Sequence, residues 1–184
     1  MSSVMVKRTR IETEKGDITC ERVDAIVNAA NHTLLGGGGV DGAIHRAAGP
    51  ELLAACKLLG GCDTGDAKIT KGYGLPAKHV IHTVGPVYSE SGPNAARRLA
   101  SCHRRSLELA LENDLKSVSF PAISCGVYGY PVDEAAHVAA NTVVEFVTEH
   151  KGLELVRFVL FDDRAFQAFS EQLERAAGVG EFKP

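Results

Sequence analysis

The stretch Val23-Asp24-Ala25-Ile26-Val27-Asn28-Ala29-Ala30-Asn31-His32-Thr33-Leu34-Leu35-Gly36-Gly37-Gly38-Gly39-Val40-Asp41-Gly42-Ala43-Ile44-His45 decides the fold. An apolar run passes into a glycine loop and then into a helical pattern, which is the strand–loop–helix unit of an α/β domain. Gly36 to Gly39 carry no Cβ, so a ligand can approach the backbone there. The helix that follows offers free N–H groups and the positive end of its dipole. That arrangement suits a phosphate. A flexible surface turn is the plainer alternative, since glycine runs are common turn material.

Outward from this unit the same alternation continues along all 184 residues, a length that fits one domain over 1–184 with a substantial core. Strands are predicted at Val6 to Thr13, Ala25 to Asn28, Ala67 to Gly72, His79 to Val84, Ser117 to Ile123 and Leu155 to Phe161. Several are unbroken apolar runs suited to a sheet covered on both faces, and the set predicts a sheet of about six strands. Helices are predicted at Asp41 to Ala48, Glu51 to Leu59, Asn94 to Asn113, Asp133 to His150 and Asp163 to Ala176. The segment 178–184 reads as a loose tail.

Composition narrows the function. Charged residues at 23% and hydrophobic ones at 45% are ordinary for a globular chain. A net charge of −3 and a pI near 6.2 give no basic footprint for nucleic acid. No apolar stretch approaches a membrane span, and Met1 to Arg10 lacks the apolar core of a signal peptide. The five cysteines are odd in number and form no C-x-x-C pair. Reduced thiols and a cytoplasmic location are therefore expected.

Gly37-Gly38-Gly39-Val40-Asp41-Gly42 also satisfies the dinucleotide fingerprint G-x-G-x-x-G, but a lone match is weak. The acidic residue that should end the next strand is misplaced, because Asp63 sits in a polar turn. Asp41 would moreover lie beside the pyrophosphate and repel it. A carboxylate in that position needs a role of its own. No Gly-Lys-Ser or Gly-Lys-Thr follows the loop, so it is not a Walker A.

A second turn of the same kind, Ser124-Cys125-Gly126-Val127-Tyr128-Gly129-Tyr130-Pro131, again joins an apolar strand to a helix. The two turns together would grip two phosphates. Tyr128, flanked by small residues, is placed to cover a sugar, whereas Tyr130 reads as a seal on the sheet edge.

These residues resemble the macro domain family, in its MacroD-type branch. The pattern is an asparagine, six residues, then Gly-Gly-Val-Asp-Gly-Ala-Ile, here Asn31 followed by Gly38 to Ile44. It extends to Gly16-Asp17-Ile18-Thr19, Pro121-Ala122-Ile123-Ser124 and Phe158-Val159-Leu160-Phe161-Asp162. The resemblance implies a three-layer α/β/α fold with a central mixed sheet that binds ADP-ribose at the carboxyl ends of the strands. It implies that Asp17 accepts from the adenine amino group, with the Ile18 backbone beside it. Phe161 would stack on the adenine; ordinary core at a strand end stands level with that. Gly37, Gly38, Gly39 and Val40 in the first loop, with Ser124, Cys125, Gly126, Val127 and Tyr128 in the second, would hold the pyrophosphate and distal ribose. Cys125 stands where relatives often carry threonine or serine, which removes one hydroxyl contact.

Two readings of the chemistry follow. In the first, the protein is a hydrolase that removes mono-ADP-ribose from modified Asp or Glu side chains and deacetylates O-acetyl-ADP-ribose. Asn31 would orient the ribose and Asp41 would assist the attacking water, with Asn28 and His45 supporting them. For His45 a purely structural role stands beside that one. No metal or cofactor is called for. In the second, the protein is a non-catalytic reader of ADP-ribose, for which a carboxylate near the scissile bond has no use. A Cys125 nucleophile is a weaker third, since a small buried thiol is the commoner fate of cysteine. His79 and His82 point to opposite faces of their strand and read as structural.

Overall fold

The computed structural model describes residues 1–178. Its strands are β1 (Ser2–Val6), β2 (Thr9–Lys15), β3 (Ala25–Ala30), β4 (Ala67–Lys71), β5 (His79–Val84), β6 (Ser117–Phe120) and β7 (Leu155–Leu160). The helices are α1 (Gly39–Ala48), α2 (Pro50–Leu59), the single turn α3 (Tyr88–Ser91), α4 (Ala95–Glu112), α5 (Val132–Glu149) and α6 (Asp163–Ala176). Of the stretch 178–184 read as a tail, only Gly178 lies within the described residues.

The seven strands form one sheet in the order β1-β2-β7-β6-β3-β5-β4. The five inner strands run parallel, and the two edge strands are antiparallel to their neighbours. The expected sheet of about six strands thus has one more. The extra strand is β1, which lies ahead of the predicted strand Val6 to Thr13 and shares only Val6 with it; a hairpin turn at Lys7 and Arg8, with Val6 opposite Thr9, joins it to β2. Lys7 takes the left-handed conformation, φ 55°, without the glycine or asparagine that usually marks such a turn. β6 stops at Phe120, because Pro121 has no N–H to continue the ladder.

Parallel strands buried on both faces need helices on each side. On one face α4, α5 and α6 pack through Leu99, Leu107, Ala136, Ala139, Val143, Phe146 and Phe169 onto Val27, Ile81, Val118, Phe120 and Phe158. On the other, α1 and α2 bring Ile44, Leu52 and Cys56 against Ile26, Val80 and Val84. Adjacent residues of one strand, Ile26 and Val27, serve opposite layers, as period-two side chains must. The three layers expected from the sequence are therefore present.

Candidate functional site

β3 and β6 are neighbours, yet the chain leaves their carboxyl ends for opposite faces, β3 into α1 and β6 into α5. Where connections diverge in this way a crevice opens above the sheet. Here it is a cleft of about 770 Å³. All five inner strands contribute to it: Gly16, Asp17 and Ile18 after β2, Ala29 and Ala30 at the end of β3, Gly85 after β5, Pro121 to Tyr128 after β6, and Phe161 and Asp162 after β7. The volume lies within the range of small-molecule sites.

The glycine loop roofs one end of the cleft. Gly38 is the N-cap of α1, and a Cβ built on Gly38 or Gly39 would meet no protein atom within 4 Å. The backbone there faces open space. By contrast, a Cβ on Gly42 would come within 2.5 Å of the Gly37 carbonyl, so the bare helix turn at Gly42 lets the loop fold down onto α1. A Cβ on Gly37 would lie 3.1 Å from Asp41 Oδ2 and 3.5 Å from Asn31 Nδ2. The loop therefore passes directly over both predicted catalytic side chains.

Asp41, in the first turn of α1, is only 5% exposed. Asn28 Nδ2 donates to Asp41 Oδ1 over 2.8 Å, and His45 Nε2 lies 3.4 Å from the same oxygen, one helical turn along. Asn28 is fully buried at the end of β3, and its Nδ2 also lies 3.1 Å from His82 Nδ1. Asn31 is half-buried and largely committed to its own loop. Its Nδ2 donates to the Gly36 carbonyl over 2.9 Å, and its Oδ1 accepts from the Thr33 N–H and hydroxyl. One N–H of Asn31 remains free to donate.

The second loop approaches from β6. Ser124 adopts φ 65° and is buried, with a hydroxyl that has no partner. Gly85 makes that packing possible, because a Cβ there would collide with the Ser124 side chain. Gly126 faces open space and Val127 is 99% exposed. Tyr128 is half-buried; burial raises its phenol above the usual value, and the charges of Asp41 and Glu90 add to that. Tyr130, read as a seal, is buried and packs edge-on against Tyr88 at 4.9 Å between centroids. Cys125 is half-buried, and burial, with Asp162 nearby, pushes its thiol up to about 12. A thiol of that kind is not a poised nucleophile.

At the other end of the cleft stands Phe161, just past β7 and 86% exposed. The ring is therefore open to the cleft and is not core. Asp17 is exposed beside Ile18, and its Oδ1 accepts from the Thr19 N–H (2.9 Å) and hydroxyl (2.7 Å), capping the short 3-10 turn Ile18–Cys20. Its second oxygen remains available to a ligand. Of the residues singled out from the sequence, Asp17, Ile18, Gly38, Gly39, Val40, Ser124 to Tyr128 and Phe161 line the cleft, while Asn28, Asn31, Gly37, Asp41 and His45 lie under and around its glycine loop. The structure also adds residues to which no site role was assigned from the sequence. Arg46, Gly85 and Asp162 line the cleft, and His82, which had read as merely structural, bonds to Asn28. No cluster of three or more metal-ligating side chains occurs among the described residues.

The Macro domain family profile matches residues 27–139, the stretch holding both loops and the layer beneath them. The chain belongs to the macro domain family. The O-acetyl-ADP-ribose deacetylase of Klebsiella pneumoniae is 57% identical over 80% of this macro domain and 87% of its own length. The ADP-ribose glycohydrolase MACROD2 of Xenopus laevis is 55% identical over 89% of this chain, which spans 40% of that longer protein. Among solved structures, the Oceanobacillus iheyensis macrodomain with ADP superposes with a TM-score of 0.91 at 45% identity, covering 94% of each chain.

Proposed function

We propose that this macro domain is a hydrolase that binds ADP-ribose, removes mono-ADP-ribose from modified Asp and Glu side chains, and deacetylates O-acetyl-ADP-ribose. The names of its relatives support the substrate class. The cleft supports the pose: adenine against Phe161 and Asp17, the pyrophosphate between the loops at Gly38 to Val40 and Ser124 to Tyr128, and the distal ribose under Tyr128 next to Asn31. Both bonds to be cleaved are esters on that ribose, and one site serves both. The free N–H of Asn31 donates to a ribose oxygen and fixes the reacting sugar. Asp41 takes a proton from the water that attacks the ester carbonyl, or polarises that water. His45 and Asn28 hold the carboxylate in place.

The observation that carries this reading is the Asp41 carboxylate itself, buried, hydrogen-bonded by Asn28 with His45 3.4 Å away, and set beneath the glycine loop. Burying a charge is costly, and a pure binder gains nothing from one there. A reader remains the second reading because Asp41 is covered by Gly37. Incubating the protein with glutamate-linked mono-ADP-ribosylated protein decides between them: a hydrolase releases the label, a reader only retains it. We place the enzyme in the cytoplasm. Its five cysteines are free, and no helix among the described residues is long and apolar enough to cross a membrane.

A further inference from the structure

A row of polar side chains crosses the sheet beneath α1 and α2. Asn28 of β3 stands opposite His82 of β5, which stands opposite Lys68 of β4. Their surroundings are apolar, with Ile26, Ala30, Val80 and Val84 on the same layer. Polar groups in such a place are tolerated when their hydrogen bonds are made. Lys68 makes its own with the Leu59 and Gly61 carbonyls at the end of α2.

The bonds of the other two have only one consistent direction. A carboxylate accepts and never donates, so the Asn28 atom 2.8 Å from Asp41 is the amide nitrogen. The same nitrogen lies 3.1 Å from His82 Nδ1, which must then accept. The ring proton therefore sits on Nε2, 3.0 Å from Thr70 Oγ1. The Thr70 hydroxyl spends its hydrogen on the Lys71 carbonyl, so its oxygen is free to accept from Nε2–H. The chain of donors runs Thr70 to the Lys71 carbonyl, His82 to Thr70, and Asn28 to both His82 and Asp41.

We propose that His82 is a positioning residue for Asp41: as the neutral imidazole protonated on Nε2, it accepts from Asn28 and thereby holds the amide with its other N–H on the Asp41 carboxylate. This deepens the hydrolase reading and rests on it. Were Nδ1 to carry a hydrogen, two donors would face each other across 3.1 Å and the amide would turn over. The Asn28 oxygen would then meet a carboxylate oxygen, and Asp41 would be pushed from its place. The surroundings keep the ring neutral. Burial, with the neighbouring His45 adding to it, pushes His82 down to about 3. The other groups facing it are Asn28, Thr70 and the Cys56 thiol, whose sulfur lies 3.7 Å from Nε2 and which burial pushes up to about 11.

The first test reads the ring directly. In a two-bond proton–nitrogen NMR spectrum of the unmodified protein, His82 should show the Nε2–H tautomer alone, unchanged from about pH 5 to pH 8. An Nδ1–H ring, or one that titrates in that range, overturns the proposal whatever the variants do. The second test reads function. His82→Phe keeps the ring without an acceptor, whereas His82→Asn can place an amide oxygen where Nδ1 was. H82F should lower kcat by about tenfold, as coupled members of one network do, with ADP-ribose affinity unchanged within about twofold, and H82N should restore most of that loss. Equal kcat for H82F and H82N overturns the proposal. In an Asp41→Asn background H82F should have no further effect. If D41N itself turns over at the parent rate, the hydrolase role of Asp41 fails and the proposal with it. If D41N is inactive while H82F matches the parent, only the proposal fails.

Discussion

Asn28 and Asp41 share a buried hydrogen bond of 2.8 Å that ties the end of β3 to the first turn of α1 from beneath the glycine loop. The bond lies beneath the loop beside which the ligand's distal ribose is proposed to sit. It makes the position of the carboxylate a property of the sheet, which is rigid, and not of the loop above it. A site whose reacting group is anchored to a strand tolerates changes in the loop better than changes beneath it.

The loop itself is open to direct test. A Cβ at Gly38 meets no protein atom, and Gly38 has a φ of −89° that any residue adopts. Gly38→Val should therefore fold normally while its side chain crowds the space proposed for the phosphate. Calorimetry should show ADP-ribose binding weakened, and circular dichroism an unchanged fold. Gly39 has a φ of 57°, so the same change there should cost stability as well as binding.

Phe161→Ala removes an exposed ring. Thermal unfolding should be unchanged, because 86% of the residue is already in water, while ADP-ribose affinity should fall by about 1–3 kcal/mol if the adenine stacks there. Lost stability at unchanged affinity would return Phe161 to the core.

Cys125→Ser should keep turnover near that of the parent. Its thiol, pushed up to about 12, supplies almost no thiolate at neutral pH, and the serine restores a hydroxyl beside the proposed pyrophosphate. A mutant without label release would revive a cysteine nucleophile.

Stability should fall on acidification earlier than carboxylates alone require. Burial pushes His82 down to about 3 and His103 to about 4, against 6.5 for a free ring. With folded values below the unfolded one, the unfolded chain takes up protons first. Stability is thus full above about pH 6.5 and falls toward about pH 4, at up to roughly 1.4 kcal/mol per pH unit for each ring. His103 touches no part of the cleft, and His103→Leu should flatten that fall in urea unfolding measured at several pH values. An unchanged slope would mean the ring is already charged in the fold.

Much of this was legible in the sequence, and what was not has physical causes. The unit Ala25 to Ala48 announced itself because an apolar strand, a glycine run and a 3.6-residue pattern follow one another without interruption. The five long helices appear within a residue or two of their expected ends. The hairpin at Lys7 and Arg8 was hidden, because two charged residues carry the turn where a glycine would have marked it. His82 was hidden differently. Spacing along β5 puts His79 and His82 on opposite faces, which rules out a shared metal but says nothing of what lies across the ladder. Only the register of β3 on β5 sets His82 opposite Asn28. Gly85 and Arg46 join the cleft through contacts distant in sequence, for which no local pattern exists.

The most direct measurement is single-turnover release of label from glutamate-linked mono-ADP-ribosylated protein by the parent and by Asp41→Ala, with ADP-ribose affinity measured on both. The variant keeps the glycine loop, the helix N-terminus and the adenine wall, so it should bind ADP-ribose as well as the parent or better. Its release rate should be lower by roughly 100- to 10,000-fold, the contribution of general-base catalysis. Release at the parent rate would contradict the account and move activation of the water from Asp41 to the substrate's own phosphate.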